Sequence, residues 1–178
     1  HLFYSGIHGG SMVMYCTKVK KDTSDLDSYI DGIETGLDDI RTYQSFSIRV
    51  KNHQDKLGEM LHVLHYQENM DIFGYGAPAK GNTLLNSVLS EDTKVIQKIE
   101  EANPLKWNRY TPHTHIPICD YKAVKERPPY YLVLSWNFLQ EFLSKPSEIE
   151  YLQKDGKFII PFPYEPFIVD KNNYHHFQ

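Results

Sequence analysis

The segment Gly74-Tyr-Gly-Ala-Pro-Ala-Lys-Gly-Asn-Thr-Leu-Leu-Asn86 constrains the fold more than any other stretch of this chain. It follows the apolar run Met70-Asp-Ile-Phe73 and leads into the helix-like stretch Leu84 to Leu89. Strand, glycine turn and helix in that order is how α/β proteins aim backbone N–H groups and a helix N-terminus at an anion. Lys80 adds a positive charge beside those donors. The turn is neither a phosphate-binding Gly-Lys-Ser/Thr loop, because the lysine precedes the last glycine, nor a clean GxGxxG, because four residues separate Gly76 from Gly81. Spacing alone therefore leaves two readings, an anion site or a tight strand-to-helix connection stiffened by Pro78.

The 178 residues suit one domain with a sizeable core, and 40% hydrophobic with 24% charged residues is a globular balance. A net charge of −4 argues against a nucleic-acid surface. Thirteen tyrosines and nine phenylalanines are enough to furnish both a core and a pocket for sugars or bases. Cys16 and Cys119 are far apart in a chain with no secretory signal, which reads as two reduced thiols of a cytoplasmic protein. No apolar run is long enough to span a membrane. Opening on His1 in place of Met points to a fragment or a processed product.

Met12 to Val19 reads as a strand, and residues 29 to 69 mostly as helix, from Ile30, Ile33, Leu37, Ile40 and from Leu57, Met60, Leu61, Leu64. After the glycine turn, Lys94 to Ile99 reads weakly as a second strand, and the proline-rich residues 103 to 118 as an extended loop. Tyr130 to Ser135 is a buried-strand run, Phe138 to Leu152 a helix interrupted near Lys145-Pro146, and Lys157 to Phe162 a last strand. The aromatic, polar residues from Tyr164 onward read as a loosely ordered tail. Strands alternating with helices predict an α/β fold, a Rossmann-like open and mostly parallel sheet with helices on both faces. Three unusual segments then fall at strand ends: Gly74 to Gly81, Asn103 to Ile118, and Trp136-Asn137. Ligands in such sheets sit off the carboxyl ends of the strands.

Several residues in these segments carry usable chemistry. Glu101 lies 20 residues past Gly81, where dinucleotide-binding folds place a ribose-binding acid; the plain alternative is a solvated charge beside Glu100. Arg109-Tyr-Thr-Pro-His-Thr-His115 combines an arginine and hydroxyls suited to phosphate and sugar. His113 and His115 could share one face of an extended strand, but no third ligand is visible, so no metal is expected. His62 and His65 read as helix-edge residues. Ser11 lacks the surroundings of a nucleophile elbow. His8, next to two glycines, has room for a ligand and can act as a base near neutral pH.

With these segments assembled, the chain resembles the C-terminal region of S-adenosylmethionine-dependent sugar C-methyltransferases, which act on thymidine-diphosphate-linked keto-deoxysugars. The resemblance rests on His8-Gly-Gly-Ser11, Gly74 to Asn86, Arg109-Tyr-Thr-Pro-His-Thr-His-Ile-Pro117 and Leu132-Val-Leu-Ser-Trp-Asn-Phe138, which together cover most of residues 8 to 163. It implies an enzyme of three parts: a zinc-binding module, a methyl-donor domain, and a Rossmann-like C-terminal domain that helps hold the nucleotide sugar. On that reading residues 1–20 end the preceding domain or form a linking strand. Residues 21–70 pack as a helical segment on the sheet, 70–163 form the nucleotide-sugar-binding core, and 164–178 a tail.

The resemblance assigns His8 as a base near the sugar, and the strand-end placement and side-chain chemistry of the motifs point to substrate binding by Tyr75, Gly76, Lys80, Asn82, Glu101, Arg109, Tyr110, Thr111, His115, Trp136 and Asn137. Ser5, Ile7 and His113 stand where it leads one to expect Tyr, Glu and Gly. It implies that a base removes a proton next to the 4-keto group and that the resulting carbanion attacks the methyl sulfonium. S-adenosylmethionine and zinc would be held by domains outside this chain, which itself has no cysteine cluster. The rival readings are a stand-alone, non-catalytic nucleotide-sugar-binding module, another group transfer such as acylation of an amino sugar at His113 or His115, and, more distantly, a nicotinamide dehydrogenase.

Overall fold

The computed structural model describes residues 2–5, 11–19, 36–89 and 93–177. The chain divides into two compact units, residues 1–51 and 52–178. The first contains a hairpin in which β1 (Leu2–Ser5) pairs antiparallel with β2 (Ser11–Met14). It also contains the start of helix α1 (Ile40–His62).

The second unit is built on a seven-stranded sheet. Its strands are β3 (Ile72–Tyr75), β4 (Ile99–Glu101), β5 (Arg109–Tyr110), β6 (Pro117–Asp120), β7 (Tyr130–Val133), β8 (Lys157–Ile160) and β9 (Phe167–Val169). They lie in the order β5-β6-β4-β3-β7-β8-β9. The five inner strands are parallel, and the two edge strands run antiparallel to their neighbours. Parallel strands need both faces covered, and the sequence of β7 shows why it sits in the middle. Tyr130, Leu132 and Leu134 belong to one buried cluster, Tyr131 and Val133 to the other. The first cluster takes Leu57, Leu61 and Leu64 from α1 and the turn after it, and Leu84 and Leu85 from α2 (Ala79–Val88). The second takes Phe142 and Leu143 from α3 (Leu139–Leu143), and Tyr151 and Leu152 from α4 (Pro146–Gln153). The fold is the mostly parallel α/β sheet with helices on both faces that the sequence predicts.

Chain direction fixes a second feature. From β3 the chain moves to β4 and β6 on one side, then returns to place β7 and β8 on the other. The order reverses between β3 and β7, and in open α/β sheets ligands sit in the crevice outside that reversal, at the carboxyl ends.

Three local expectations are corrected. Residues 103–118 are not one extended loop. Arg109 and Tyr110 pair with Ile118 and Pro117 in an edge hairpin too short to show an alternating pattern. The second strand begins at Ile99, not Lys94, because Thr93–Val95 forms a 3₁₀ turn. Gln97 then bonds Ile72 through both its backbone N–H and its side-chain carbonyl, which delays the ladder. Finally, the residues after Tyr164 are not a loose tail. Phe167-Ile-Val169 adds β9 to the sheet edge, burying Val169, and Tyr174–Phe177 forms a 3₁₀ turn.

Candidate functional site at the carboxyl ends of the strands

The glycine turn leaves the carboxyl end of β3 and enters α2 at Ala79, after an extended Pro78. Gly76 has φ +78°, and a Cβ there would meet Ser135 Oγ at 2.9 Å. Only glycine takes this left-handed backbone without strain. At Gly81 a Cβ would meet the Cβ of Leu134 at 2.7 Å, so this glycine lets α2 lie close on β7. These glycines thus have packing reasons of their own. The first helical bond of α2 is Asn82 N–H to the Pro78 carbonyl at 3.2 Å. The preceding N–H groups of Ala79, Lys80 and Gly81 have no partner within the helix, and the first turn carries no acid.

Two lysines flank this turn. Lys106 Nζ donates to the Ala77 carbonyl at 2.9 Å and lies 3.3 Å from Glu101 Oε2. Glu101, at the end of β4, also accepts from the N–H groups of Ala77 at 2.8 Å and Asn103 at 2.9 Å. Burial alone would raise the Glu101 carboxyl, but these N–H donors and Lys106 outweigh it and hold it below its ordinary value. Trp107 fixes the same corner by donating Nε1–H to the Glu101 carbonyl at 2.7 Å.

On the other side, Lys80 Nζ sits 4.4 Å from the centre of the Trp136 ring. Trp136 packs on Phe162 with centroids 4.9 Å apart, and Phe162 stacks on His53 at 4.4 Å with planes 10° apart. Desolvation on this aromatic ledge lowers the pKa of Lys80 and of His53. Two ammonium groups against one carboxylate, beside N–H groups left unbonded within the helix, make a site that attracts an anion.

The sequence that builds this site has counterparts in known proteins. Residues 6–163 match the C-methyltransferase C-terminal domain family. The chain belongs to this family. It is also 29% identical over 168 residues to the C-methyltransferase NovU of Streptomyces niveus. That alignment covers 92% of this chain and 39% of the relative, so the chain spans well under half of the relative's length.

Within this C-methyltransferase C-terminal domain the predicted residues fall into three groups. Gly76, Lys80, Glu101 and Trp136 gather at the carboxyl ends, with Asn137 in the 3₁₀ turn Trp136–Phe138 directly after β7. Tyr75 and Asn82 belong to the same segment but turn inward. The Tyr75 ring lies edge-on to Tyr131 and Phe158, and burial followed by the charge of Glu148 raises its pKa. Asn82 Oδ1 is buried with no partner among the described residues.

Arg109, Tyr110, Thr111 and His115 form the last group, which the structure does not bring to the turn. Arg109 and Tyr110 are exposed on edge strand β5, separated from β3 by β6 and β4. The following loop lies toward the start of β6, away from the carboxyl ends. There the buried Thr111 hydroxyl meets Thr114 Oγ1 at 2.7 Å and accepts from Ile116 N–H at 2.8 Å. His113 and His115 take φ +69° and +52° in the same loop. His8 lies outside the described residues.

Sequence reasoning missed Lys106, Trp107, Phe162 and His53. Lys106 and Trp107 lie inside the strand-end segment Asn103 to Ile118, three and two residues before Arg109, and nothing in their local pattern singles them out within it. No described helix is long and apolar enough to cross a membrane.

Proposed function

We propose that this domain binds the nucleotide sugar for an S-adenosylmethionine-dependent sugar C-methyltransferase, the substrate being a thymidine-diphosphate-linked keto-deoxysugar. The observation that carries the reading is the pair Lys80 and Lys106 on either side of the α2 N-terminus, at the carboxyl ends of β3 and β4. A diphosphate suits that arrangement, since it offers several anionic oxygens to N–H groups and ammonium groups at once.

The same charges do not suit the methyl donor. Its sulfonium is a cation, and two lysines beside helix N–H groups repel it. Donor binding is therefore assigned to the part of the enzyme that lies outside this chain, together with the zinc module. The role of this chain is to hold and orient the sugar, which can contribute several orders of magnitude in rate. His8, in the His-Gly-Gly-Ser segment, is assigned as the base that works on the sugar held here. The dehydrogenase reading loses support at Glu101. Three donors already converge on the carboxylate that would have to receive ribose hydroxyls.

Calorimetric titration of the chain with thymidine diphosphate, NAD and S-adenosylmethionine tests the proposal. Thymidine diphosphate binds, and the methyl donor shows no tight binding. Preference for NAD overturns the proposal in favour of a dehydrogenase. Micromolar affinity for the donor shows that the domain has been assigned the wrong half of the reaction.

A further inference from the structure

The glycine turn spends its own N–H groups on the neighbouring strand. Gly76 N–H donates to the Glu100 carbonyl at 2.8 Å, and Ala77 N–H to Glu101 Oε2 at 2.8 Å. Pro78 has no N–H. The turn therefore keeps no donor for an anion. The backbone donors left for one are the N–H groups of Ala79, Lys80 and Gly81, unbonded within α2. Where those three point depends on how the chain enters the helix, and that entry is fixed at Ala77.

Glu101 also organises the segment that delivers Lys106. Its Oε1 accepts from Asn103 N–H at 2.9 Å, and its backbone carbonyl accepts from Trp107 Nε1–H at 2.7 Å. Asn103 caps the 3₁₀ turn Pro104–Lys106 by accepting from Leu105 N–H at 3.0 Å. Lys106 Nζ is thereby set 3.3 Å from Glu101 Oε2 and 2.9 Å from the Ala77 carbonyl. Both polar groups of Ala77 are taken, the N–H by the carboxylate and the carbonyl by the ammonium, and the two side chains meet each other. Lys106 carries three N–H donors; two are committed to this brace, and the third is left to meet a ligand.

We propose that Glu101 is a positioning residue of the anion site, holding the Ala77 peptide at the entry to α2 and Lys106 beside it, without itself touching the ligand. The inference rests on the nucleotide-sugar reading and deepens it, because it names what preorganises the donors for the diphosphate. It also sets Glu101 apart from the strand-end acid of dinucleotide-binding folds, whose carboxylate receives ribose hydroxyls. The role has a sign that a bystander charge cannot imitate. A carboxylate near an anion repels it, so neutralising a bystander strengthens anion binding. Neutralising a carboxylate that positions the donors weakens binding, although a negative charge has gone.

The test compares the parent chain with Glu101→Gln, Glu101→Asp, Lys106→Gln and the double variant Glu101→Gln/Lys106→Gln. Each is titrated at neutral pH with inorganic pyrophosphate, thymidine diphosphate and thymidine diphosphate glucose, at a temperature where thermal unfolding shows it to be folded. Glu101→Gln lowers affinity for all three ligands by a similar factor, roughly three- to tenfold. Glu101→Asp keeps the charge but is one methylene too short for Ala77 and Lys106 together, and it weakens binding as well. The double variant loses less than the product of the two single losses, because the two side chains act through each other. Hydrogen exchange at the Ala77 amide, faster in Glu101→Gln than in the parent, reads the brace without any ligand.

The inference is overturned if Glu101→Gln binds pyrophosphate as tightly as the parent or more tightly while Glu101→Asp is unchanged, which makes the carboxylate a bystander. It is also overturned if Glu101→Gln weakens the two nucleotides and spares pyrophosphate, which makes Glu101 a direct contact of the nucleoside. In both cases the parent still binds, and the nucleotide-sugar reading survives. If the parent binds none of the three ligands, that reading fails and the inference falls with it.

Discussion

The glycine turn and the Arg109–Ile118 hairpin look equally functional as sequence, since both mix proline, a cation and hydroxyl or amide side chains. In the fold they differ in where their polar groups point. The turn stands at the reversal of strand order, with the first N–H groups of α2 unbonded in the helix and Lys80 and Lys106 beside it. The hairpin lies on the sheet edge, and its buried threonines bond to each other and to its own backbone. Unusual composition therefore marks two kinds of site, one that awaits a ligand and one that satisfies itself. The direction of the strands separates them.

The largest expected effect lies in the self-satisfied region. Thr111→Val leaves the buried Thr114 hydroxyl and the Ile116 N–H without their partner. At roughly 1–3 kcal/mol for each unpaired buried group, stability measured by urea unfolding falls by about 3 kcal/mol. Affinity for thymidine diphosphate stays as it was. A loss of binding at unchanged stability would return the hairpin to the site and end the comparison.

Lys80→Ala is the mirror experiment. One charged contact disappears, worth about 1.5–3 kcal/mol, so thymidine diphosphate binds roughly ten- to a hundredfold more weakly while stability barely moves. Binding that ignores the substitution would reduce the turn to a connection between strand and helix.

Glu101 sharpens the contrast through pH. Its folded pKa lies below the ordinary carboxylate value, so its contribution is present above the unfolded pKa of about 4.5 and is lost as pH falls through the folded value. Glu101→Gln therefore removes part of the acid-side fall in stability, and urea midpoints collected from pH 6 down to pH 3 show a shallower limb. An unchanged limb would mean that the Ala77, Asn103 and Lys106 contacts do not hold the carboxylate. The smallest effect belongs to Arg109→Ala. An exposed edge residue outside the site should change stability by less than about 0.5 kcal/mol and affinity by less than twofold.

Glu100 and Glu101 show how far the sequence could be read. They are identical neighbours in the text of the chain, yet they face opposite sides of β4. Glu100 is buried, accepts the Tyr131 hydroxyl at 2.7 Å, and has its pKa raised, first of all by desolvation. Glu101 ties the glycine turn to β4, and its pKa is lowered. Strand alternation predicts that the two diverge, but their environments come from β7 and from the turn, residues far away in sequence.

What the sequence determined by itself is local. Met70 to Leu89 is strand, glycine turn and helix because apolar runs and φ-permissive glycines act over a few residues. Tyr130 to Val133 is a central strand because it is apolar on both faces. The family resemblance was legible for the same reason, as short motifs kept in order. Tertiary structure alone decided which motif meets which. Lys106 reaches Ala77 across 29 residues, and Lys80 rests on Trp136 across 56, while Arg109 is carried to the sheet edge. Those meetings follow from strand order and register, which are set by the joint burial of both sheet faces, a property of the assembled core that no window of the sequence contains.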